Sequence, residues 1–370
     1  MFDPEIWAQV PFHFWSVVFF WAGAMVGSFL NVCIHRMPRG ESVIAPPSHC
    51  PHCHYSIPWY LNIPLVTWIY LRGKCAQCKA PISPRYFAVE LLTGLAFLGC
   101  WLAFGGQSAA LALVYCLVLS GFIAATFIDF EHFIIPDEIT LGGIAAGVFC
   151  SFLVPELHGD QSITHSLRQS FFGIAAGGGI VYGVLRLGKL LFGKQKIQLP
   201  EASRITFTET ALLLPDQTVP YEELFYRESD AIVFEAEKLE LIDRCYANVR
   251  VRLSPKKLTI GDEELNPETV PHMEAVTGHM VLPREAMGFG DVKFMAAIGA
   301  FLGWKAVLFS LLASSILGAA VGVALIAMKK REWSSRIPYG PYIALAAVIW
   351  IFAGNEILSL IFPPDPFALY

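Results

Sequence analysis

The chain has 370 residues, 55% hydrophobic and only 15% charged, with a mean hydropathy of +0.53, which excludes an ordinary water-soluble globular protein and points to repeated transmembrane helices. The formal net charge of -5 is unevenly spread: 11 basic and 16 acidic residues fall between Lys194 and Arg284, and the two signs balance elsewhere. There is no basic patch of the kind nucleic acid needs, so nucleic-acid binding is excluded.

In chain order, Asp3 and Glu5 precede the first apolar run. A signal peptide carries a basic start, so this run reads as a retained helix. Eight membrane segments are predicted, at about 12–35, 87–105, 109–128, 138–155, 170–192, 288–303, 305–328 and 338–361. The sixth is short and glycine-marked, and Gly303-Trp304-Lys305 makes so tight a turn that segments six and seven are expected to form a helical hairpin. Segment one carries Gly27, Ser28 and Asn31 before Arg36; small residues there permit close helix packing, and a buried asparagine needs a partner.

The first loop contains Cys50-Pro-His-Cys53 and Cys75-Ala-Gln-Cys78. Two C-x2-C pairs separated by 21 residues present four thiolates tetrahedrally, which suits a structural Zn²⁺ with no open position. His49, His52 and His54 crowd the first knuckle, but four cysteines complete a site without them. The loop has too little apolar periodicity for a core of its own, so metal would supply much of its folding free energy.

Glu90 lies just inside segment two and should line a polar cavity or meet a cation. Asp129 closes segment three; Glu131 and His132 beyond it read as a solvated face. Asp137 follows Pro136 and reads as the start of segment four. The glycines of segment five, Gly173, Gly177, Gly178, Gly179 and Gly183, read as helix packing, because no strand precedes them as a nucleotide loop would require. From 194 to 286 the character changes. Alternation in Val249–Leu253, with Ile205–Thr208, Ala231–Phe234 and Leu258–Asp262, indicates a small β-rich domain. Next comes Met287-Gly288-Phe289-Gly290-Asp291-Val292-Lys293, a carboxylate directly after a Gly-x-Gly turn.

Lys and Arg set the orientation. Arg36, Arg39, Arg72, Lys74, Lys79 and Arg85, then Lys189, Lys194 and Lys196, then Lys329, Lys330, Arg331 and Arg336, all fall on one side of eight alternating spans. That side is expected to be the cytoplasm. Asp129 and Asp291 then sit at the same membrane face. Two carboxylates in one site share a proton, so one acts as base on water while the other polarises a carbonyl. The bland alternative is two interfacial acids stabilised by helix ends.

Six motifs in order resemble the type IV prepilin peptidase family. They are Gly27–Val32 with Arg36 and Pro38, the four-cysteine loop, Val89–Gly94, Asp129 to Asp137, Gly288–Lys293, and Ile337–Tyr342. The resemblance implies a membrane aspartic endopeptidase of the bacterial inner membrane with its active site facing the cytoplasm. It would cleave the leader of prepilins or pseudopilins after a glycine and N-methylate the new terminus from S-adenosylmethionine. Asp129 and Asp291 map to the catalytic pair. The implied organisation is a polytopic α-helical membrane protein: 1–36 the first helix, 37–86 a cytosolic zinc domain, 87–193 helices two to five, 194–286 an inserted β-rich cytosolic domain, and 287–370 helices six to eight. The insert departs from the family's short loop at this point and is a candidate surface for a cytosolic partner. The alternative is a non-enzymatic membrane scaffold that binds partners through its zinc loop and insert.

Overall fold

The computed structural model describes residues 11–159, 161–192, 194–215, 218–221, 224–225, 230–283, 288–328 and 338–361. Asp3, Glu5, Arg284, Met287, Lys329, Lys330, Arg331, Arg336 and Ile337, all used above, lie outside the described residues. The chain divides into two compact units, Met1–Tyr182 with Phe289–Tyr370, and Gly183–Gly288.

The long helices are α1 (Phe12–Arg36), α2 (Pro84–Phe104), α3 (Ala109–His132), α4 (Asp137–Leu153), α5 (Ile163–Phe192), α6 (Phe289–Ala327) and α7 (Gly340–Ile361). Local chemistry sets their ends. Ser83 and Ser108 accept first-turn N–H groups at the starts of α2 and α3. Phe133 ends α3 in the left-handed region at φ 55°, and Pro136 cannot extend that helix. Within α6, Gly303 has φ 76° and ψ 174° and splits the helix into two arms. Each of the eight predicted segments is therefore helical, with six and seven forming the arms of α6. Among the described residues, five helices (α1, α2, α3, α5 and α6) are long and apolar enough to cross a membrane, and α7 carries a shorter apolar stretch, Gly340–Gly354.

Contacts fix the direction of each helix. A Cβ on Gly23 would meet Thr93 and Phe97, and one on Gly27 would meet Glu90, so α1 and α2 run antiparallel. Arg85 pairs with Glu131 and Phe104 packs on Tyr115, so α3 runs back along α2. Asp137 pairs with Lys293 while Gly147 abuts Ala300; α4 and the first arm of α6 are parallel. Gly173 faces Gly299 and Gly177 faces Met295, so α5 opposes that arm. Ser314 bonds Tyr339 and Phe309 packs on Trp350, so the second arm opposes α7. The chain thus reverses at Gly303, giving the predicted hairpin, and Arg36, Arg85, Asp129, Asp291 and Gly340 all lie at one end of the helices.

Two boundaries differ from the prediction. Helix α3 runs to His132, which puts Asp129 inside its last turn. Helix α5 begins at Ile163, because Thr164, His165, Ser166 and Gln169 dilute the apolar signal although Ser166 and Ser170 are buried.

The second unit is one eight-stranded antiparallel sheet. Its strands are β1 (Lys194–Phe207), β2 (Ala211–Leu213), β3 (Thr218–Pro220), β4 (Ile232–Leu241), β5 (Cys245–Leu253), β6 (Leu258–Ile260), β7 (Glu263–Leu265) and β8 (Met273–Pro283), in the order β3-β2-β1-β8-β4-β5-β6-β7. Alternate residues of β4 and β8 are buried, the period of a sheet with one covered face. Phe207 and Phe234 stack at 5.3 Å in the core. Lys194 and Pro283 are register partners, so the chain enters and leaves this unit side by side.

The α5–α6 contact is the tightest: a Cβ on Gly173 would lie 1.9 Å from the Gly299 carbonyl oxygen. Gly173→Ala should lower stability by on the order of 1–3 kcal/mol, as overpacking does. Gly142 has open space around it, so Gly142→Ala should be neutral or stabilising. Thermal unfolding of both variants in detergent checks the contrast.

Candidate active site

Three helix ends meet around the turn 133–136. Asp129 stands in the last turn of α3, Asp291 in the first turn of α6, and Gly340 begins α7. Both aspartates are buried, 5% and 8% exposed. The Gly340 N–H donates to Asp129 Oδ2 at 2.9 Å. A Cβ on Gly340 would lie 2.8 Å from that oxygen and 3.1 Å from Ile135, while one on Gly290 would lie 3.5 Å from Ile135. Ile135 is thus the shared neighbour of the Asp129 clamp and of the turn that carries Asp291. Phe122 meets Phe294 edge to face at 5.6 Å, which locks α3 to α6 two turns from Asp129 and one turn from Asp291. The N-termini of α6 and α7 bring first-turn N–H groups and positive dipole ends to the same place.

Several expectations change here. Asp137 does start α4, and it also pairs with Lys293, a link that the reading of its sequence neighbours did not reveal. Glu131 is exposed but paired with Arg85, and His132 is half-buried with Nε2 covered, so neither belongs to a simple solvated face. Among the described residues Glu90 meets no cation: its Oε2 accepts the Leu65 N–H at 2.7 Å. Asn31 finds its partner across the helices, donating to the Tyr86 carbonyl at 3.0 Å. Gly340 and Ile135 were missed as positioning residues. The signal for Gly340 was available, a glycine just before Pro341 at a helix start; a lone isoleucine carries none.

Between α1 and α2 the loop folds as two matching knuckles. Cys50 accepts the His54 N–H and Cys75 accepts the Lys79 N–H through their carbonyls, and His54 and Lys79 both have positive φ, 55° and 61°. The four sulfurs lie within 4.8 Å of one another, with Cys50–Cys78 at 3.8 Å and Cys53–Cys75 at 3.9 Å. Tetrahedral Zn–S bonds of about 2.3 Å place sulfurs about 3.8 Å apart, so the residues fit this ion. Backbone N–H groups of Cys78 and Gln77 pull the Cys75 thiol below its usual pKa, favouring the thiolate a metal needs. The histidines stand outside the cluster; His49 and His54 stack on each other. Arg36 is buried and braces the loop through the carbonyls of Ser42 and Pro46.

Two family models match, the Bacterial Peptidase A24 N-terminal domain over residues 21–104 and the Type IV leader peptidase family over residues 272–323. The chain is 29% identical to a prepilin leader peptidase/N-methyltransferase of Aeromonas hydrophila over 95% of each chain. It is 26% identical to one of Stutzerimonas stutzeri over 91% of this chain and 90% of that one. A Myxococcus xanthus protein of the same name is 46% identical over 37% of this chain and 40% of its own. Over the matched stretches the chain is similar to the type IV leader peptidase family. No solved structure matches it. Asp291 and its Gly-x-Gly turn lie inside the matched 272–323 stretch and the four-cysteine loop inside the matched N-terminal one, while Asp129 lies between the two.

The cysteine geometry predicts about one zinc per purified chain. In the double variant Cys50→Ser, Cys53→Ser, elemental analysis should find zinc near background, and limited proteolysis should cut the loop faster.

Proposed function

We propose that the chain is a membrane aspartic endopeptidase that removes the leader of prepilins or pseudopilins and then N-methylates the new terminus, with Asp129 and Asp291 as the catalytic pair. The observation that carries this reading is the convergence of the Asp129 clamp and the Asp291 turn on Ile135. It brings two buried carboxylates to one end of the helices without reliance on span counting.

The chemistry follows from the pair. Two close carboxylates hold one proton between them. The ionised member takes a proton from water, and the resulting hydroxide adds to the scissile carbonyl carbon. The protonated member gives its proton to the carbonyl oxygen. Collapse of the diol breaks the C–N bond and passes a proton to the departing amine. Gly340 holds Asp129 Oδ2 by its N–H, and the absence of a side chain there keeps the oxygen accessible. Lys293 is engaged by Asp137. The amine released is the group to be methylated, with S-adenosylmethionine as co-substrate, so cleavage precedes methyl transfer.

Arg36, Arg39, Arg72, Lys74, Lys79 and Arg85 cluster at or between the ends of α1 and α2, the same end as the aspartates. By the positive-inside rule this end faces the cytoplasm of a bacterial inner membrane, and eight crossings fit the alternating helix directions. The four-cysteine loop holds a structural Zn²⁺ on that side. The sheet unit is offered as a cytosolic surface.

Asp129→Asn and Asp291→Asn should insert normally yet leave a co-expressed prepilin at its full mass, a loss of at least about a thousandfold in rate, as removal of an acid–base partner produces. Gly340→Ala should lower kcat by about ten- to a hundredfold with little change in KM, since it displaces the carboxylate and not the substrate. A leader still removed by both aspartate variants would refute the assignment.

A further inference from the structure

The segment between the two cysteine knuckles has the surface of a membrane element. From Ser42 to Leu71 there are 30 residues without one Asp, Glu, Lys or Arg. Its middle folds as two short turns, Trp59–Leu61 and Val66–Tyr70, and turns outward Trp59 (83% exposed), Tyr60, Ile63, Val66, Ile69 and Tyr70 (77% exposed). A water-facing loop would not gather six such side chains.

Two contacts fix the depth of this segment. Leu65, at the start of the second turn, is buried and gives its N–H to Glu90 of α2. Five residues of helix, roughly 7 Å, separate Glu90 from Arg85, the first charge of α2. Helical side chains lean toward the N-terminus, but the contact still lies below that charge. Trp68 packs on Phe87 at 5.1 Å, also past Arg85. The segment therefore dips alongside the part of α2 that occupies the hydrocarbon boundary. A cleft of about 450 Å³ joins it to α1, lined by Trp21, Met25 and Phe29 on the helix and by Trp59 and Ile63 on the loop. The loop's apolar face is thus continuous with the exposed apolar face of a membrane helix.

We propose that residues 58–71 are embedded in the lipid bilayer surface, so that the cysteine knuckles are seated on the membrane by an aromatic foot with lipid chains filling the cleft beside α1. Amphipathic elements of this kind bury about 5–10 Å into the headgroup boundary, and Trp and Tyr favour that level. Glu90 has a defined part in this arrangement: it supplies the acceptor that a backbone N–H lowered into lipid would otherwise lack.

The test uses the full chain in vesicles of phosphatidylethanolamine and phosphatidylglycerol. A diazirine-bearing amino acid is placed singly at Trp59, Tyr70, Leu95 (exposed on mid-α2) or Gln77 (exposed on the second knuckle). Intact mass after illumination reads phospholipid adducts, and zinc content verifies that each loop is folded. Adduct yield at 59 and 70 is expected within about threefold of that at 95 and at least about tenfold above that at 77. Yields at 59 and 70 no higher than at 77, or adducts to polypeptide in place of lipid, would overturn the proposal.

Discussion

A carboxylate at the end of a membrane helix keeps its place only if a polar group meets it there, because the surroundings offer little else to bond. The Gly340 N–H on Asp129 is that group, and the rest of the helical unit is arranged around it. For α7 to deliver an N–H to the end of α3, its first residue must be a glycine, since a Cβ would strike both Asp129 and Ile135. Gly340 must also come back to the end from which Asp291 departs, which requires α6 to reverse. Gly303, at φ 76°, is where it does so. Tyr339 then ties the approach to α7 onto the returning arm through Ser314 and Ser315.

Glycine serves a second purpose in the packing. Lipid tails are as apolar as leucine, so helices in a membrane associate through close contact and polar bonds more than through burial. Gly173 on Gly299, Gly177 on Met295, and Gly27 on Glu90 let backbones touch. Each contact fixes a helix pair in register, and the α5–α6 register sets the height of Asp291. The glycine-rich run of α5 and the Gly-x-Gly-Asp turn, far apart in sequence, act on the same coordinate.

What the sequence revealed and what it hid divide along physical lines. Periods and spacings survive in any fold: the apolar runs, the paired C-x2-C knuckles and the strand alternation of 249–253 all correspond to structure. That Asp129 and Asp291 lie at one end of the helices was legible because orientation can be counted. Partners across the bundle were not legible. Nothing local to Glu90 shows that its acceptor serves Leu65, nothing near Lys293 points to Asp137, and an isoleucine at 135 looks like any other. The start of α5 was hidden because Ser166 and Ser170 are buried yet read as polar.

The sheet unit has a constraint of its own, the placing of its two ends. An insertion of about ninety residues directly before the Asp291 turn is tolerated most easily when its own ends lie together. Here β1 and β8 are neighbours, and Lys194 faces Pro283 across the ladder. The two ends of the insertion are therefore one strand pair apart, about 5 Å. Compact units with adjacent ends are the kind that chains tolerate in loops.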